Sequence, residues 1–144
     1  MTASSRFPVA THILTALHWN EGQVLSSERL AETVNTNPVV IRRVLGRLRK
    51  AGLVTTLPGA CGGAKLAKRP QEITLLEVYR AVEDTSLFRL HCPSPTCPLG
   101  GVIETTLAPI YDEAEQAMEQ VLAGVTLAQV SHDARTQAGV EMEG

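Results

Sequence analysis

The 144-residue chain is 44% apolar but only 3% aromatic, so its core must be aliphatic, which favours packed helices over a β-sandwich. No stretch approaches the ~18 consecutive apolar residues of a membrane span, Met1 to Arg6 lacks the apolar core of a signal peptide, and three cysteines are too few for a disulfide scaffold. The net charge of −2 hides an asymmetry: Met1 to Pro70 holds ten basic and three acidic residues, the remainder three basic and twelve acidic, so a polyanion is drawn to the first half and repelled by the second.

The first helix is expected over Phe7 to Trp19, where Val9, Ala10, Ile13, Leu14 and Leu17 recur at helical spacing. Ser26 caps a second helix, Ser27 to Val34, with Glu28 in its first turn, where it favours the positive helix end. After Asn35-Thr36, Asn37 caps a third helix that opens on Pro38 and runs to Ala51, with Gly52 as the left-handed stop. Two capped helices joined by a short polar turn form a helix-turn-helix. Leu53 to Leu57 and Lys65 to Ala67, separated by a Gly-rich turn, are expected as a hairpin, the wing. Thr74 with Glu77 forms a capping box for a fourth helix. Leu90 to Gly100 contains Pro93, Pro95 and Pro98 and is expected as loop.

A long helix then spans roughly Gly101 to Ala123. Ile103, Leu107, Ile110, Ala114, Ala117 and Val121 form a heptad-like seam suited to pairing with another helix. Pro109 should kink this helix or mark its true start. Thr126 with Gln129 caps one last helical turn, and Ser131 to Gly144 is expected as a disordered tail. The fold class is therefore mainly α with a small β-hairpin: a winged helix-turn-helix over 1–84, a cysteine and proline loop over 85–100, a dimerisation helix with a short C-terminal helix over 101–130, and the tail over 131–144.

At 100° per residue, Val40, Ile41, Val44, Leu45 and Leu48 share the core face of the third helix, while Val39, Arg42, Arg43, Gly46 and Lys50 face outward. Arg47 lies on one border and Arg49 on the other. Arginine's planar fork suits guanine O6 and N7. Residues near the start of a recognition helix reach bases and later ones reach phosphates. Arg42 and Arg43 are therefore assigned to base readout and Arg47 and Lys50 to phosphates, with Asn37, Val39, Ser26 and Arg6 close to the DNA and Lys65 contributing from the wing.

The residues then resemble the Rrf-two family of bacterial winged-helix regulators, which includes repressors controlling iron–sulfur assembly, cysteine metabolism and nitric-oxide responses. The matching segments include Ser5-Arg6-Phe7, Leu25-Ser26-Ser27-Glu28-Arg29-Leu30-Ala31, Asn37-Pro38-Val39-Val40-Ile41-Arg42-Arg43, Gly59-Ala60-Cys61-Gly62-Gly63 and Ile73-Thr74-Leu75-Leu76-Glu77. The resemblance covers roughly Ser4 to Val130. It implies a homodimer acting on double-stranded DNA at a pseudo-palindromic operator; the lack of a span or signal core leads to the expectation of a cytoplasmic protein with no membrane partner, and the lack of catalytic motifs to that of no enzymatic activity. The alternative is a winged helix used for protein contact alone.

Several members of that family hold an iron–sulfur cluster on three cysteines in the loop before the long helix. This loop has Cys92 and Cys97 with His91 adjacent, and no cysteine stands around Val102 and Ile103, where the third would be expected. Clusters need four ligands, mostly thiolates, so two cysteines and a histidine fall short unless the dimer or another side chain supplies more, and one Cys-x4-Cys pair is also short of a zinc site. The expectation is no metal and no cofactor. A thiol response through Cys92 and Cys97 stays open beside a purely structural role.

Overall fold

The computed structural model describes residues 4–84 and 91–140. Helix α1 (Arg6–Trp19) buries Ala10, Ile13, Leu14 and Leu17 and lies at the centre of the head. Helix α2 (Ser27–Val34) starts where the Ser26 hydroxyl accepts the Arg29 N–H at 3.1 Å. It stops at Asn35, whose φ of +60° is a left-handed conformation that asparagine tolerates. Helix α3 (Pro38–Lys50) starts where Asn37 Oδ1 accepts the Val39 N–H at 2.8 Å. Its end is a Schellman motif: Gly52 N–H bonds the Arg49 carbonyl, Leu53 N–H bonds the Leu48 carbonyl, and Gly52 takes φ +77°. Ile41, Val44, Leu45 and Leu48 are buried as the helical periodicity requires, whereas Val40, also expected in the core, remains 36% exposed.

The wing is an antiparallel pair, β1 (Val54–Leu57) and β2 (Gly63–Leu66), with Val54 opposite Leu66 and Leu57 opposite Gly63. The second strand begins two residues earlier than expected. The reason lies outside the hairpin: Leu25, in the α1–α2 loop, exchanges both backbone hydrogen bonds with Ala64, at 3.0 and 2.8 Å. A Cβ built on Gly63 would lie 2.2 Å from the Leu25 carbonyl oxygen, so only glycine permits this approach. The wing is thereby anchored by backbone to the entrance of α2.

A 3-10 turn over Pro70–Glu72 leads to α4 (Leu75–Val82), which packs on α1 through an edge-to-face pair, Phe7 against Tyr79, with ring centroids 5.8 Å apart. Only half of the expected capping box forms here. Thr74 accepts the Glu77 N–H, while the Glu77 carboxylate turns to Lys68 at 3.0 Å.

Helix α5 (Gly100–Ala123) passes through Pro109, so its start is Gly100 and not the proline. None of its residues is buried. Among the described residues no helix is long and apolar enough to cross a membrane.

The chain expected to be a disordered tail from Ser131 is helical as far as Ala138. Helix α6 (Leu127–Ala138) opens with a full capping box between Thr126 and Gln129. It docks on the head by backbone bonds from Leu75 N–H to the Val125 carbonyl and from Leu127 N–H to the Ile73 carbonyl. Leu127 is fully buried. Ser131, 1% exposed, accepts the Trp19 indole N–H at 2.9 Å and lies 2.8 Å from His18 Nδ1. The Arg135 guanidinium covers the Trp19 ring at 5.4 Å. The segment needs few apolar side chains because its polar ones find partners on α1.

Candidate nucleic-acid interface

Three elements converge on one surface. The start of α2, the outer side of α3 and the wing enclose a cleft of about 570 Å³, lined among others by Ser26, Glu28, Arg42, Gly46, Arg49 and Gly62. A Cβ at Gly46 would meet nothing within 4 Å, so the glycine leaves this wall of the cleft low without being forced by packing.

The basic residues of α3 divide into two groups. Arg43, Arg49 and Lys50 are exposed, and no ion pair holds them among the described residues. Lys65 on β2 is likewise exposed. Val39 is 48% exposed at the first turn, beside the capping Asn37, and Ser26 caps α2 on the cleft wall. Arg42 is exposed but paired: its Nη2 donates to Glu28 Oε1 at 2.6 Å.

Arg47 is turned elsewhere. Its Nη1 donates to Asp84 Oδ1 at 2.7 Å and to the Val82 carbonyl at 3.4 Å, both at the end of α4. Arg6 Nη1 reaches Asp84 Oδ2 at 3.3 Å. The two guanidiniums hold the Asp84 carboxyl below its usual range, mainly through the Arg47 hydrogen bond, and the same bond raises Arg47. Arg47 and Arg6, both expected to face DNA, are paired with Asp84 in the isolated chain, and each must leave that carboxylate to reach a phosphate. Arg47 sits on the border of the helical wheel nearer the core, and α4 supplies the carboxylate on that side.

Helical periodicity puts Arg49 only on a border of the wheel and gives it no role. It lies about 20° from Arg42 on the helical wheel, and that offset is the sequence signal for its place in the cleft. The sequence marks Glu28 only as a favourable charge at a helix start, and no local pattern announces its contact with a residue fourteen positions away.

On α5 the seam is uneven. Ile103, Leu107 and Ala114 are half-buried, whereas Ala117 is exposed and Ile110 and Val121 are 57% and 68% exposed. The side of α5 that meets α4 includes Glu119, which accepts from Arg80 at 3.3 Å.

A family model described as an iron-dependent transcriptional regulator, Rrf2, matches residues 3–133. The chain belongs to the Rrf2 (Rrf-two) family. It is 44% identical to YwnA of Bacillus subtilis (strain 168) over 129 residues, which is 88% of this chain and 95% of YwnA. It is 28% identical over 137 residues to the HTH-type transcriptional regulator IscR of Aliivibrio salmonicida (strain LFI1238), covering 95% of this chain and 80% of that one. The solved structure of T. potens IscR superposes with a TM-score of 0.70 at 25% identity, over 100% of this chain and 94% of that one. The winged helix-turn-helix thus lies within a fold that this chain shares with a solved IscR over its whole length.

The Rrf2 description names iron, and the family resemblance would put a cluster in the loop before α5. The donors here do not fit one. His91, Cys92 and Cys97 are all exposed, and among the described residues no three His, Cys, Asp or Glu side chains converge on a common point. Two thiols per chain fall short of the four ligands that a cluster takes. Cys97 is instead part of the turn into α5: its N–H bonds the Ser94 carbonyl and its own carbonyl accepts from Gly101.

Proposed function

We propose that the chain is a sequence-specific DNA-binding transcriptional regulator, a repressor, which acts as a homodimer on a pseudo-palindromic operator. The observation that carries this reading is the outer side of α3, where Arg42 and Arg49 line the cleft between a capped α2 and a backbone-anchored wing and Arg43 and Lys50 are exposed on the same helix. Each α3 enters a major groove. Arg43 and Arg42 read base edges near its start, and Lys50 contacts phosphate near its end. Lys65 brings the wing to the adjacent backbone. Pairing through the exposed part of the α5 seam, Ile110, Ala117 and Val121, supplies the second head, and two-fold symmetry then sets the half-site spacing.

Selection of bound duplexes from random DNA, followed by affinity measurements on variants, tests this. An inverted repeat should emerge. Arg43→Ala should cost about 1–3 kcal/mol and relax one base position per half-site. Lys50→Ala should weaken all duplexes alike and lower the salt slope by about 1. A pool with no shared sequence would sink the proposal.

Response to thiol oxidation through Cys92 and Cys97 belongs to the same reading. Both thiols are free and exposed, five positions apart in a loop that leads directly into α5. Running the selection with reduced and with diamide-treated protein tests it. Equal enrichment in both arms, for wild type and Cys92→Ser alike, removes the switch.

A further inference from the structure

The first seventy residues contain only three acids, Glu21, Glu28 and Glu32. Glu21 lines a small pocket at the base of the wing, and Glu32 lines a groove formed by α1, α2 and α6. Glu28 alone lines the cleft between α2, α3 and the wing. A carboxylate on a surface that meets phosphates opposes binding. Its ion pair with Arg42 does not account for it as a source of stability, since the two side chains are 64% and 55% exposed and such pairs add little.

The geometry points to a different role: we propose that Glu28 is a specificity-determining residue, whose carboxylate aims the Arg42 fork at a guanine and keeps phosphates away from that spot. The contact is short, 2.6 Å, and uses one of the two hydrogens on Arg42 Nη2. The other hydrogen, with those on Nη1, remains free to form the two parallel bonds to O6 and N7. A guanidinium held from one side also loses less rotamer freedom when it meets its base. On unrelated sequence no guanine stands at that place, and Arg42 would otherwise collapse onto the nearest phosphate. Glu28 competes for it there and adds its own repulsion. Its effect is thus to weaken binding to unrelated DNA more than binding to the operator.

This inference rests on the DNA-reading role proposed above. The test uses the full chain, a duplex selected from random DNA and a scrambled duplex of equal length, with affinities followed by fluorescence anisotropy. Glu28→Gln should lower the selected-to-scrambled ratio at least tenfold, chiefly by tightening binding to the scrambled duplex. It should also relax one base position per half-site. Glu28→Asp keeps the charge but shortens the reach, so scrambled binding should stay weak while the same position relaxes. Arg42→Lys, which removes the fork, should relax that position too. An unchanged ratio in Glu28→Gln, equal weakening of both duplexes, or relaxation at a position that Arg42→Lys leaves intact would overturn the proposal. Wild-type protein with no preference between the duplexes would instead bring down the DNA-reading role itself, and this inference with it.

Discussion

Arg47 of the recognition helix is bound to Asp84 at the end of α4 at 2.7 Å, with Arg6 on the opposite carboxylate oxygen at 3.3 Å. One acid thus occupies two cations that belong to the basic half of the chain. It stands where α4 gives way to the segment that leads into the cysteine loop. Replacing Asp84 with Asn removes the charge and leaves a side chain of similar size. The expected outcome is tighter DNA binding with a salt slope steeper by up to about 2, one increment for each cation that finds a phosphate. Titrations over a range of KCl concentrations measure this. An unchanged slope would mean that neither arginine can reach the DNA backbone.

The exposed apolar side chains of α5 provide a second prediction. Ile110 and Val121 point away from the described parts of their own chain and are eleven residues apart on one face. Ile110→Asp combined with Val121→Asp should convert a dimer to a monomer in light scattering coupled to gel filtration. Helix content should be kept, because no buried contact is lost. Operator affinity should fall by more than tenfold, since a single head keeps only half of the contacts.

The contact between α6 and α1 should be sensitive to acid. Ser131 already accepts from the Trp19 indole N–H, so its own hydrogen is available to His18 Nδ1, which then acts as acceptor in the neutral ring. Burial lowers the His18 pKa below the ordinary 6.5, Glu21 opposes that and Arg135 reinforces it. With the folded value depressed, the unfolded chain takes up the proton first. Stability is therefore full above about pH 6.5 and falls as the pH drops through the folded value. Thermal melts between pH 7.5 and 5 should show a declining midpoint, and His18→Gln should flatten that decline. Ser131→Ala, which strands the indole N–H, should cost about 1–3 kcal/mol.

The glycines of the wing and of α3 should behave oppositely. Gly63→Ala places a Cβ 2.2 Å from the Leu25 carbonyl oxygen, and Gly62→Ala one 2.1 Å from that of Leu57. Either should destabilise by about 1–3 kcal/mol or detach the wing. Gly46→Ala meets no obstacle and should stabilise by about 0.5–1 kcal/mol through helix propensity. Denaturant unfolding of the three variants checks the signs.

How legible each part was depended on how local its causes are. The caps at Ser26, Asn37 and Thr126 and the stop at Gly52 act within three or four residues, so the sequence displays them directly. Four of the five expected core positions of α3 follow from periodicity alone. Helix α6 did not announce itself beyond its first turn, because Ser131 is satisfied by Trp19 and His18, 112 and 113 residues away. The Arg47–Asp84 contact is hidden from the sequence for the same reason, since Asp84 lies thirty-seven positions along the chain. The early start of β2 depends on Leu25, which no reading of the hairpin itself could supply.

The backbone bridge between Thr74 and Thr126 gives α5 a mechanical character. The chain that leaves α5 is fastened beside the start of α4 by main-chain bonds, which do not depend on the side chains at those positions. The rod is thus a handle fastened to the head by its C-terminal end. Whatever grips it must turn the reading head with it, and sliding one rod against another would be registered as an altered gap between two recognition helices.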